Sequence, residues 1–544
     1  MFDNRFSRRY FFYGAALAGA IPRGGFGSTT SLKAIGYKSP NEKLNLAAIG
    51  AGGQPFSDLR AAEANFENVV ALCDVDWERG AQGFERRPKA TKYKDYRQML
   101  DKQGKEIDAV VIGTPDHMHA TAALACMQSG KHVYVEKPLT RTAWEARLLA
   151  QAAEKYKVAT QMGNQGYSHD ATRVACEIFW SGEIGDVKEV HAWHGNPGWP
   201  QGMQTIPGPT PVPATLDWDL WLGGAAARPY TVGDDDYKTF AKAAMGGRGG
   251  GMGEGFGFYN PFNWRGFPDF GSGLFGDWGV HILGPANWAL QLSPESLISV
   301  ECTKREGTSP FTYPVKNAVT YEFGPRGNLP PVTVYWSDSI QGDAYLPPGM
   351  SVEDARKIAG QGPQVGPIGR GGPGGGRGGA AGGRAGAPAG APGAPGAPGG
   401  PGAPGGPPPA GRGPQGTGYN SIFVGSKGYM GTSGRGEGVG LLPGSRWADY
   451  QLPNAYLQRS PGASIGDNHG AHCRDWVRAC KGGPAACSNF SIAGPYTEWL
   501  VLGAVATHFD GKLLWDNAKM EFSNNKDATK WIKPIFRKGW EPKL

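Results

Sequence analysis

The feature that most constrains this chain is a pattern of two apolar runs, a glycine-rich turn and a helix-like segment over residues 44–74. The first run ends at Gly50, Gly52 and Gly53, and the second ends at Asp74. Strand, glycine turn, helix, strand and acid is the order typical of dinucleotide-binding units. These residues therefore predict a nucleotide site in an α/β domain, with an ordinary βαβ turn as the alternative.

Each residue type in this pattern has a physical reason for its place. Glycine lets the backbone approach a pyrophosphate, and the helix N-terminus presents free N–H groups and a partial positive charge to that anion. A carboxylate at Asp74 can accept hydrogen bonds from ribose hydroxyls. Pro55 stands where a third glycine is usual. Proline is tolerated in the first turn of a helix, but it removes the usual reason for a close helix–strand contact.

The chain divides into segments of different pattern. Alternating strand and helix signals predict an α/β Rossmann domain with a doubly wound parallel sheet over residues 40–165. Strand-like runs separated by long Pro-, Gly- and Trp-rich loops predict an α+β domain with an open, largely antiparallel sheet over 166–358 and 419–544. The interruption at 359–418 is of low complexity, so we expect a disordered Gly/Pro-rich insertion without a core.

The N-terminal segment 1–39 has the composition of a targeting signal. Arg8 and Arg9 precede a mildly apolar run at 13–21, which resembles a twin-arginine (Tat) export signal. We therefore expect export to the periplasm through the Tat machinery. A membrane anchor is the less favoured alternative, because the run is too short to span a bilayer. At the other end, residues 531–540 are predicted to pack back on the first domain.

Composition adds two limits. The 544 residues allow two or three domains with sizeable cores, and the formal net charge is +7. The basic residues are scattered rather than grouped, so nucleic acid is not a predicted partner. The 17 tryptophans suit stacking on sugar rings, and they suit ordinary cores equally well.

Polar residues follow one predicted strand at its carboxyl end, where open α/β sheets bind their ligands. The strand at 107–113 is followed by Thr114, Pro115, His117 and His119. The two histidines suggest a metal, but alternate residues diverge at a strand-to-helix turn and no third ligand is near. Contact with the cofactor or helix capping is the favoured interpretation, and no metal is predicted.

A second strand, at 132–135, is followed by Glu136, Lys137 and Pro138. A lysine at a strand end can reach over a bound nicotinamide toward a substrate. Taken alone, the tripeptide is more typical of a surface lysine.

A candidate acid–base pair lies in the second domain. Asp277 and His281 are four residues apart in a helix-like stretch, so they share a face. Histidine titrates near neutrality and can take a hydroxyl proton while hydride leaves the same carbon, and a nearby carboxylate can orient it. Alone, the pair is more typical of a helix cap and a partly buried structural histidine.

Taken in order, these motifs resemble the Gfo/Idh/MocA oxidoreductases, in particular the exported bacterial members with a Tat leader. The resemblance covers nearly the whole chain apart from the insertion. It is carried by residues 48–53, 71–76, 114–119, 136–138, 216–223, 264–267, 276–281 and 537–540.

The resemblance implies a site between a Rossmann domain and a sheet domain whose open face forms a homo-oligomer interface. By analogy, Lys137 lies beside nicotinamide and substrate, with Pro138 after a cis bond. Asp277 and His281 match the family's aspartate–histidine pair, in which His281 is the acid/base. Gly284 departs from the pattern, since many relatives carry an aspartate there.

The cofactor positions follow from the same resemblance. Gly50, Gly52 and Asp74 match the family's cofactor residues, and the loop 114–119 lines the cofactor cleft. Gly53, Glu136 and Lys137 are further candidate cofactor contacts. Asp74 and Asp76 would repel a ribose 2′-phosphate, so NAD is favoured over NADP.

Three functions remain open at this point. The first is an NAD-dependent oxidoreductase acting on a carbinol of a sugar or polyol, with a tightly bound cofactor. The second is a redox-neutral NAD-dependent glycosidase or lyase on the same fold, since an exported enzyme has no free nucleotide pool from which to exchange its cofactor. The third is a non-catalytic carbohydrate-binding relative. His194, Trp264 and Arg265 are candidate substrate contacts.

Overall fold

The computed structural model of the chain describes residues 43–63, 67–195, 199–244, 257–338, 344–355, 418–461 and 468–544. The predicted leader lies outside the described residues, as does the predicted insertion apart from Gly418. Within the described ranges, no helix combines the length and the hydropathy needed to cross a bilayer.

Six parallel strands form the first sheet, in the order β3-β2-β1-β4-β5-β6 that defines a Rossmann domain. Parallel strands covered on both faces need continuous apolar runs, and every residue of the central strand β4 is buried. The strands are β1 (Asn45–Ile49), β2 (Asn68–Cys73), β3 (Thr91–Tyr93), β4 (Ala109–Ile112), β5 (His132–Val135) and β6 (Thr160–Met162). The helices are α1 (Gln54–Glu63), α2 (Ala81–Arg86), α3 (Tyr96–Gln103), α4 (Asp116–Gln128) and α5 (Ala143–Tyr156), with a short 3₁₀ turn at Gly104–Glu106. The predicted parallel sheet is confirmed.

Helix α1 packs closely on this sheet even though Pro55 replaces the third glycine. A Cβ on Gly113 would lie 2.1 Å from Pro55 Cγ, and a Cβ on Gly50 would lie 3.2 Å from the same atom. Gly50 also has a φ of +94°, which L side chains rarely adopt. The space for the proline ring is therefore provided by glycines at the ends of β1 and β4.

The second sheet has nine strands in the order β13-β12-β11-β7-β10-β9-β8-β14-β15. Its strand pairs are antiparallel except for β7 with β10, which confirms the predicted open, largely antiparallel sheet. Residues alternate between buried and half-buried along β9 and β10, as expected for a sheet with one face on the core. The strands are β7 (Val187–His194), β8 (Leu297–Glu306), β9 (Lys316–Phe323), β10 (Val332–Asp338), β11 (Ser421–Gly425), β12 (Gly428–Thr432), β13 (Val439–Leu442), β14 (Lys512–Asp516) and β15 (Glu521–Phe522).

Nine helices follow β6 among the described residues. They are α6 (Asp170–Trp180), α7 (Trp218–Leu222), α8 (Asp235–Ala244), α9 (Val280–Ile282), α10 (Gly284–Ala289), α11 (Gly444–Ala448), α12 (Asn468–Cys480), α13 (Phe490–Ala506) and α14 (Lys526–Thr529). Two 3₁₀ turns, Gln165–Ser168 and Asn263–Gly266, and a π-helical turn, Phe275–Gly279, complete the list.

Two late segments tie the domains together. His472 of α12 lies 2.7 Å from the carbonyl oxygen of Met162 and 2.6 Å from Ser168 Oγ, so the helix is fixed beside β6. At the C-terminus, Arg97 stacks over Trp540 with 4.2 Å between guanidinium carbon and ring centroid. The predicted return of the C-terminal segment to the first domain is confirmed.

We expect Gly113→Ala to destabilise the fold by roughly 1–3 kcal/mol, because the new methyl group would overlap the Pro55 ring. Urea unfolding measures this change. Gly104→Ala is the matched control, since a Cβ at Gly104 would have no atom within 4 Å. Equal unfolding midpoints for the two variants would contradict this account of the α1 contact.

Candidate active site

The carboxylate of Asp277 lies between two cations at the carboxyl edge of the first sheet. Lys137 Nζ donates to Asp277 Oδ1 at 2.6 Å and to its main-chain oxygen at 2.9 Å. Arg265 Nε donates to the same carboxylate oxygen at 3.2 Å. Burial disfavours the ionised form, but the two cations hold the pKa of Asp277 well below its usual range. Lys137 and Pro138 are joined by the expected cis peptide bond.

His281 lies one turn further along the same helix and is buried. Burial, together with the positive charges of Lys137 and Arg435, holds the pKa of His281 well below its ordinary value. Its Nδ1 atom has no hydrogen-bond partner among the described residues. The imidazole is therefore neutral and available to a ligand.

The structure corrects the expectation that Asp277 orients His281. The carboxylate is hydrogen-bonded to Lys137 and Arg265 instead. The reason is local geometry, because Asp277 lies in a π-helical turn, where the wider helix changes which residues share a face. Asp277 thus positions Lys137 rather than the histidine.

The predicted substrate contacts differ in what they do. The His194 ring stacks on Trp278 with 4.4 Å between centroids, and its Nε2 atom is buried without a partner among the described residues. Burial lowers the pKa of His194 to about 4. Trp264 is buried, its Nε1 donates to Pro261, and its ring lies 4.3 Å from the guanidinium carbon of Arg265. It is a platform for Arg265 and does not present an open face to a sugar.

The two histidines of the loop after β4 diverge, as the sequence predicts. His119 lies between the carbonyl oxygens of Pro138 and Thr114, at 2.9 and 2.8 Å. His117 lies 3.1 Å from the carbonyl oxygen of Trp221. Burial lowers the pKa of His117 to about 3 and that of His119 to about 4. A neutral His119 ring has one N–H and so donates to one of these two carbonyl oxygens. Both histidines contact main-chain carbonyls that fix the loop, and Pro115 precedes the first turn of α4.

Glu136 does not face the same space as Lys137. It is buried against Gly163, and Gln165 Nε2 donates to its Oε1 at 3.2 Å. Burial first, and the charge of Asp58 second, raise the pKa of Glu136 well above its ordinary value. Its surroundings are those of an interior residue, in contrast to the predicted contact with the cofactor.

The glycine turn carries a cation that the sequence analysis missed. A Cβ on Gly52 would lie 2.1 Å from the carbonyl oxygen of Arg79, and a Cβ on Gly53 would lie 2.9 Å from Arg79 Nη2. Gly52 and Gly53 thus make room for Arg79, whose guanidinium lies over the start of α1. Asp74 accepts from Ala51 N at 2.8 Å, and burial raises its pKa to about 6. The sequence does place this arginine five residues after Asp74, and that spacing could have identified it as a candidate cofactor contact.

Asn164 is a second missed residue. It follows β6 at the carboxyl edge, and extending the β5–β6 register by two positions places it beside Lys137. Its side chain is buried, and neither amide atom has a partner among the described residues. Asn164 could have been identified from the sequence, because ligands bind at the carboxyl ends of parallel strands and Asn164, like Lys137, follows such a strand.

These observations test whether the cleft fits a dinucleotide. The glycine turn precedes the N-terminus of α1, Arg79 adds a positive charge there, and Asp74 follows β2. Several buried polar atoms at the cleft have no partner among the described residues. They are Thr114 Oγ1, both amide atoms of Asn164, His194 Nε2, His281 Nδ1 and Arg435 Nε. The residues present fit a dinucleotide and a polar second ligand.

The fold and this site are those of a Rossmann-type dinucleotide-binding domain joined to a second, sheet-forming part of the chain. Residues 44–164 match the model of the Gfo/Idh/MocA oxidoreductase family, described as an NAD-binding Rossmann fold. The first domain is therefore an NAD-binding Rossmann domain of the kind found in this family.

Known proteins match mainly over that domain. Inositol 2-dehydrogenase 1 of Saccharopolyspora erythraea is 34% identical over 157 residues, which are 28% of this chain and 46% of the relative. Glycosyl hydrolase family 109 protein 1 of a Shewanella species is 33% identical over 153 residues, 26% of this chain and 33% of the relative. The chain thus spans half or less of the length of these relatives. A solved inositol dehydrogenase homologue from Azotobacter vinelandii, with NADH and myo-inositol, is 15% identical with a TM-score of 0.49, covering 88% of this chain and 100% of that one.

The raised pKa of Asp116 predicts that the stability of the fold depends on pH. Burial raises its pKa to about 7, although Arg265 and hydrogen bonds from Ser272 N and Oγ oppose the shift. A carboxyl group whose pKa is higher in the folded state stabilises the fold below its unfolded pKa, near 4, and this stability is lost as the pH rises through 7. Asp116→Asn should remove this loss, which amounts to roughly 4 kcal/mol at most.

Urea unfolding of both proteins at pH 5 and pH 8 measures the difference. Asp236→Asn, at an exposed aspartate of α8, is the control and should reproduce the wild-type pH dependence. Parallel pH profiles for Asp116→Asn and wild type would contradict the raised pKa.

Asn164→Leu should separate binding from stability. Removing a buried amide without partners leaves stability unchanged or raises it by about 1–3 kcal/mol, while NADH or substrate binding weakens about tenfold. Thermal unfolding and NADH fluorescence titration, with kcat/KM, measure both effects. Asn287→Leu is the matched control, because Tyr167 and Trp499 occupy its amide at 2.8 and 2.9 Å, and this variant should be destabilised. Loss of stability in Asn164→Leu without a change in binding would refute the assignment.

Proposed function

We propose that this protein oxidises a secondary carbinol of a sugar or polyol. The observation that carries the proposal is the meeting of Lys137, Asp277 and His281 beside a nucleotide-binding sheet edge. NAD supplies, when bound, a nicotinamide ring that accepts or returns a hydride. All other steps belong to the side chains of the chain itself.

Lys137 donates a hydrogen bond to the substrate oxygen. Asp277 supports this role, since it orients the ammonium group at 2.6 Å and stabilises its charge. His281 takes the hydroxyl proton. It is suited to this task because burial keeps it neutral and its Nδ1 atom has no protein partner among the described residues. In the reverse direction, the same imidazole returns the proton.

Support for NAD over NADP comes from the end of β2. Asp74 and Asp76 both follow this strand, and the main-chain N of Asp76 donates to Asp74 Oδ1 at 3.0 Å. Two carboxylates disfavour a ribose 2′-phosphate through charge repulsion. Support for a polyol or sugar comes from the inositol dehydrogenases, although they match this chain over the cofactor domain.

We also propose that the protein is exported by the Tat route with its cofactor bound and that it assembles as a homo-oligomer. The twin arginine at Arg8 and Arg9 supports the first statement. The half-buried residues on one face of β9 and β10 support the second.

A redox-neutral glycosidase is the second candidate. The similarity of the first domain to a glycosyl hydrolase family 109 protein favours it. An exported enzyme that retains its cofactor must also restore the cofactor's redox state during turnover, and oxidation followed by elimination and reduction does so.

His281→Asn should lower the rate of nicotinamide reduction by about 10²–10⁴-fold, because the variant lacks the proton acceptor. Single-turnover absorbance at 340 nm, with a panel of polyols and sugars, measures this rate. His508→Asn is the control, since His508 is stacked on Trp531 away from the cleft. If the His281 variant reduced bound NAD as fast as wild type, the assignment of the base would be wrong.

The candidate functions are separated by denaturing the purified protein and identifying the released nucleotide and its redox state. Released NAD together with polyol-driven reduction supports the oxidoreductase. Release of nitrophenol from a nitrophenyl glycoside without net NADH supports the glycosidase. Absence of nucleotide, with no binding of added NADH, would refute both and leave the non-catalytic alternative.

A further inference from the structure

Arg435 reaches the cleft from the hairpin that joins β12 to β13. The hairpin is held against the first domain's edge, because a Cβ on Gly166 would lie 2.1 Å from the Arg435 carbonyl oxygen. Thr172 Oγ1 also donates to the Gly436 carbonyl at 3.3 Å. Gly166 is two residues after Asn164, so these contacts fix the backbone of Arg435 beside the proposed site.

The side chain of Arg435 borders the proposed proton acceptor. Its guanidinium carbon lies 5.4 Å from the centroid of the Trp278 ring. The same ring lies 6.0 Å from the ring of His281 and 4.4 Å from that of His194. Arg435 therefore belongs to the wall of the cleft that the second domain contributes.

The charges in this part of the cleft do not balance. Lys137 and Arg265 share the carboxylate of Asp277. Arg435 Nε is buried without a partner among the described residues. The carboxylate of Glu437 accepts from the main-chain N of Arg435 at 2.6 Å, and among the described residues no hydrogen bond or ion pair joins a carboxylate to the guanidinium itself. A partly buried guanidinium that no carboxylate pairs with directly is unfavourable. Its site is therefore suited to an anion that arrives with the ligand.

We propose that the substrate carries a carboxylate and that Arg435 binds it, so that the substrate is a sugar acid such as a uronate or an aldonate. This inference rests on the proposed function and adds the chemical class of the substrate. A planar guanidinium matches a carboxylate in a two-pronged hydrogen bond. One unpaired cation matches one negative charge, which favours a carboxylate over the dianion of a sugar phosphate.

Binding of a carboxylate here has a consequence for His281. The positive charge of Arg435 contributes to the low pKa of this histidine, after burial and Lys137. A bound carboxylate offsets that charge and raises the pKa of His281 toward neutrality, where it is a stronger proton acceptor. The acid group of the substrate thus assists proton removal from its own carbinol.

The test is a binding comparison on the full chain with bound nucleotide. Hexuronates and aldonates of the gluco, galacto and manno series are titrated against the matching neutral hexoses and alditols, and against the hexose 6-phosphates. Tryptophan fluorescence, to which Trp278 contributes, reports binding. The proteins are wild type, Arg435→Met, Arg435→Lys and Lys427→Gln, each first checked for an unchanged thermal midpoint.

In wild type, at least one acid should bind about tenfold to a hundredfold more tightly than its neutral partner, as expected for a charge-assisted hydrogen bond. Arg435→Met should abolish this preference and Arg435→Lys should retain part of it. Lys427→Gln removes one exposed charge from the opposite hairpin and should leave the preference intact.

An acid preference that survives in Arg435→Met, no preference in wild type, no binding of any acid, or a stronger preference for phosphates would each overturn the inference. The failure of the proposed function looks different. If acids bind through Arg435 but never reduce bound NAD, the proposed oxidoreductase function is wrong and the carboxylate inference stands. If the protein oxidises a neutral polyol and shows no preference for acids, only the carboxylate inference is wrong.

Discussion

The carboxylate of Asp277 is the interaction on which the cleft depends. It joins Lys137, at the end of a strand in the first domain, to Arg265 in the second part of the chain. A buried carboxylate is unfavourable alone, and two cations offset the loss of its hydration. Removing either side of such a buried pair typically destabilises a protein by about 3–5 kcal/mol. The ion pair therefore fixes the position of Lys137 relative to His281, and every step assigned to those two groups needs that position.

The two domains are also held together away from the ion pair. Helix α12 comes late in the chain, yet Trp476 packs with the apolar residues of the first domain, and His472 bonds to the end of β6. The hairpin that carries Arg435 is fixed by its contact with Gly166. These contacts surround the strand ends and hold the walls of the cleft in place. Pre-formed positions reduce the entropy that binding must overcome.

Local sequence patterns predicted the fold well, and they failed where a conclusion depended on packing. The parallel sheet followed from apolar runs separated by helix signals. Pro55 was expected to remove the reason for a close contact between helix and strand. The contact is nevertheless close, because Gly113, at the end of another strand, makes room for the proline ring. Trp264 was a candidate substrate contact, and its ring lies against the guanidinium of Arg265. Glu136 was expected beside its neighbour Lys137, but adjacent residues at a strand end point to opposite sides.

By itself, the sequence determined the order of strands and helices, the glycine turn, and the presence of Lys137 at a strand end. Those features arise from residue spacing over one or two elements, so periodicity is sufficient to find them. Only the tertiary structure decided which charges meet. Asp277 contacts Lys137 from the first domain as well as Arg265, and Arg435 reaches the Trp278 ring from a hairpin far along the chain. Such meetings depend on how separate elements pack, because attraction between charges acts through space and leaves no period in the sequence.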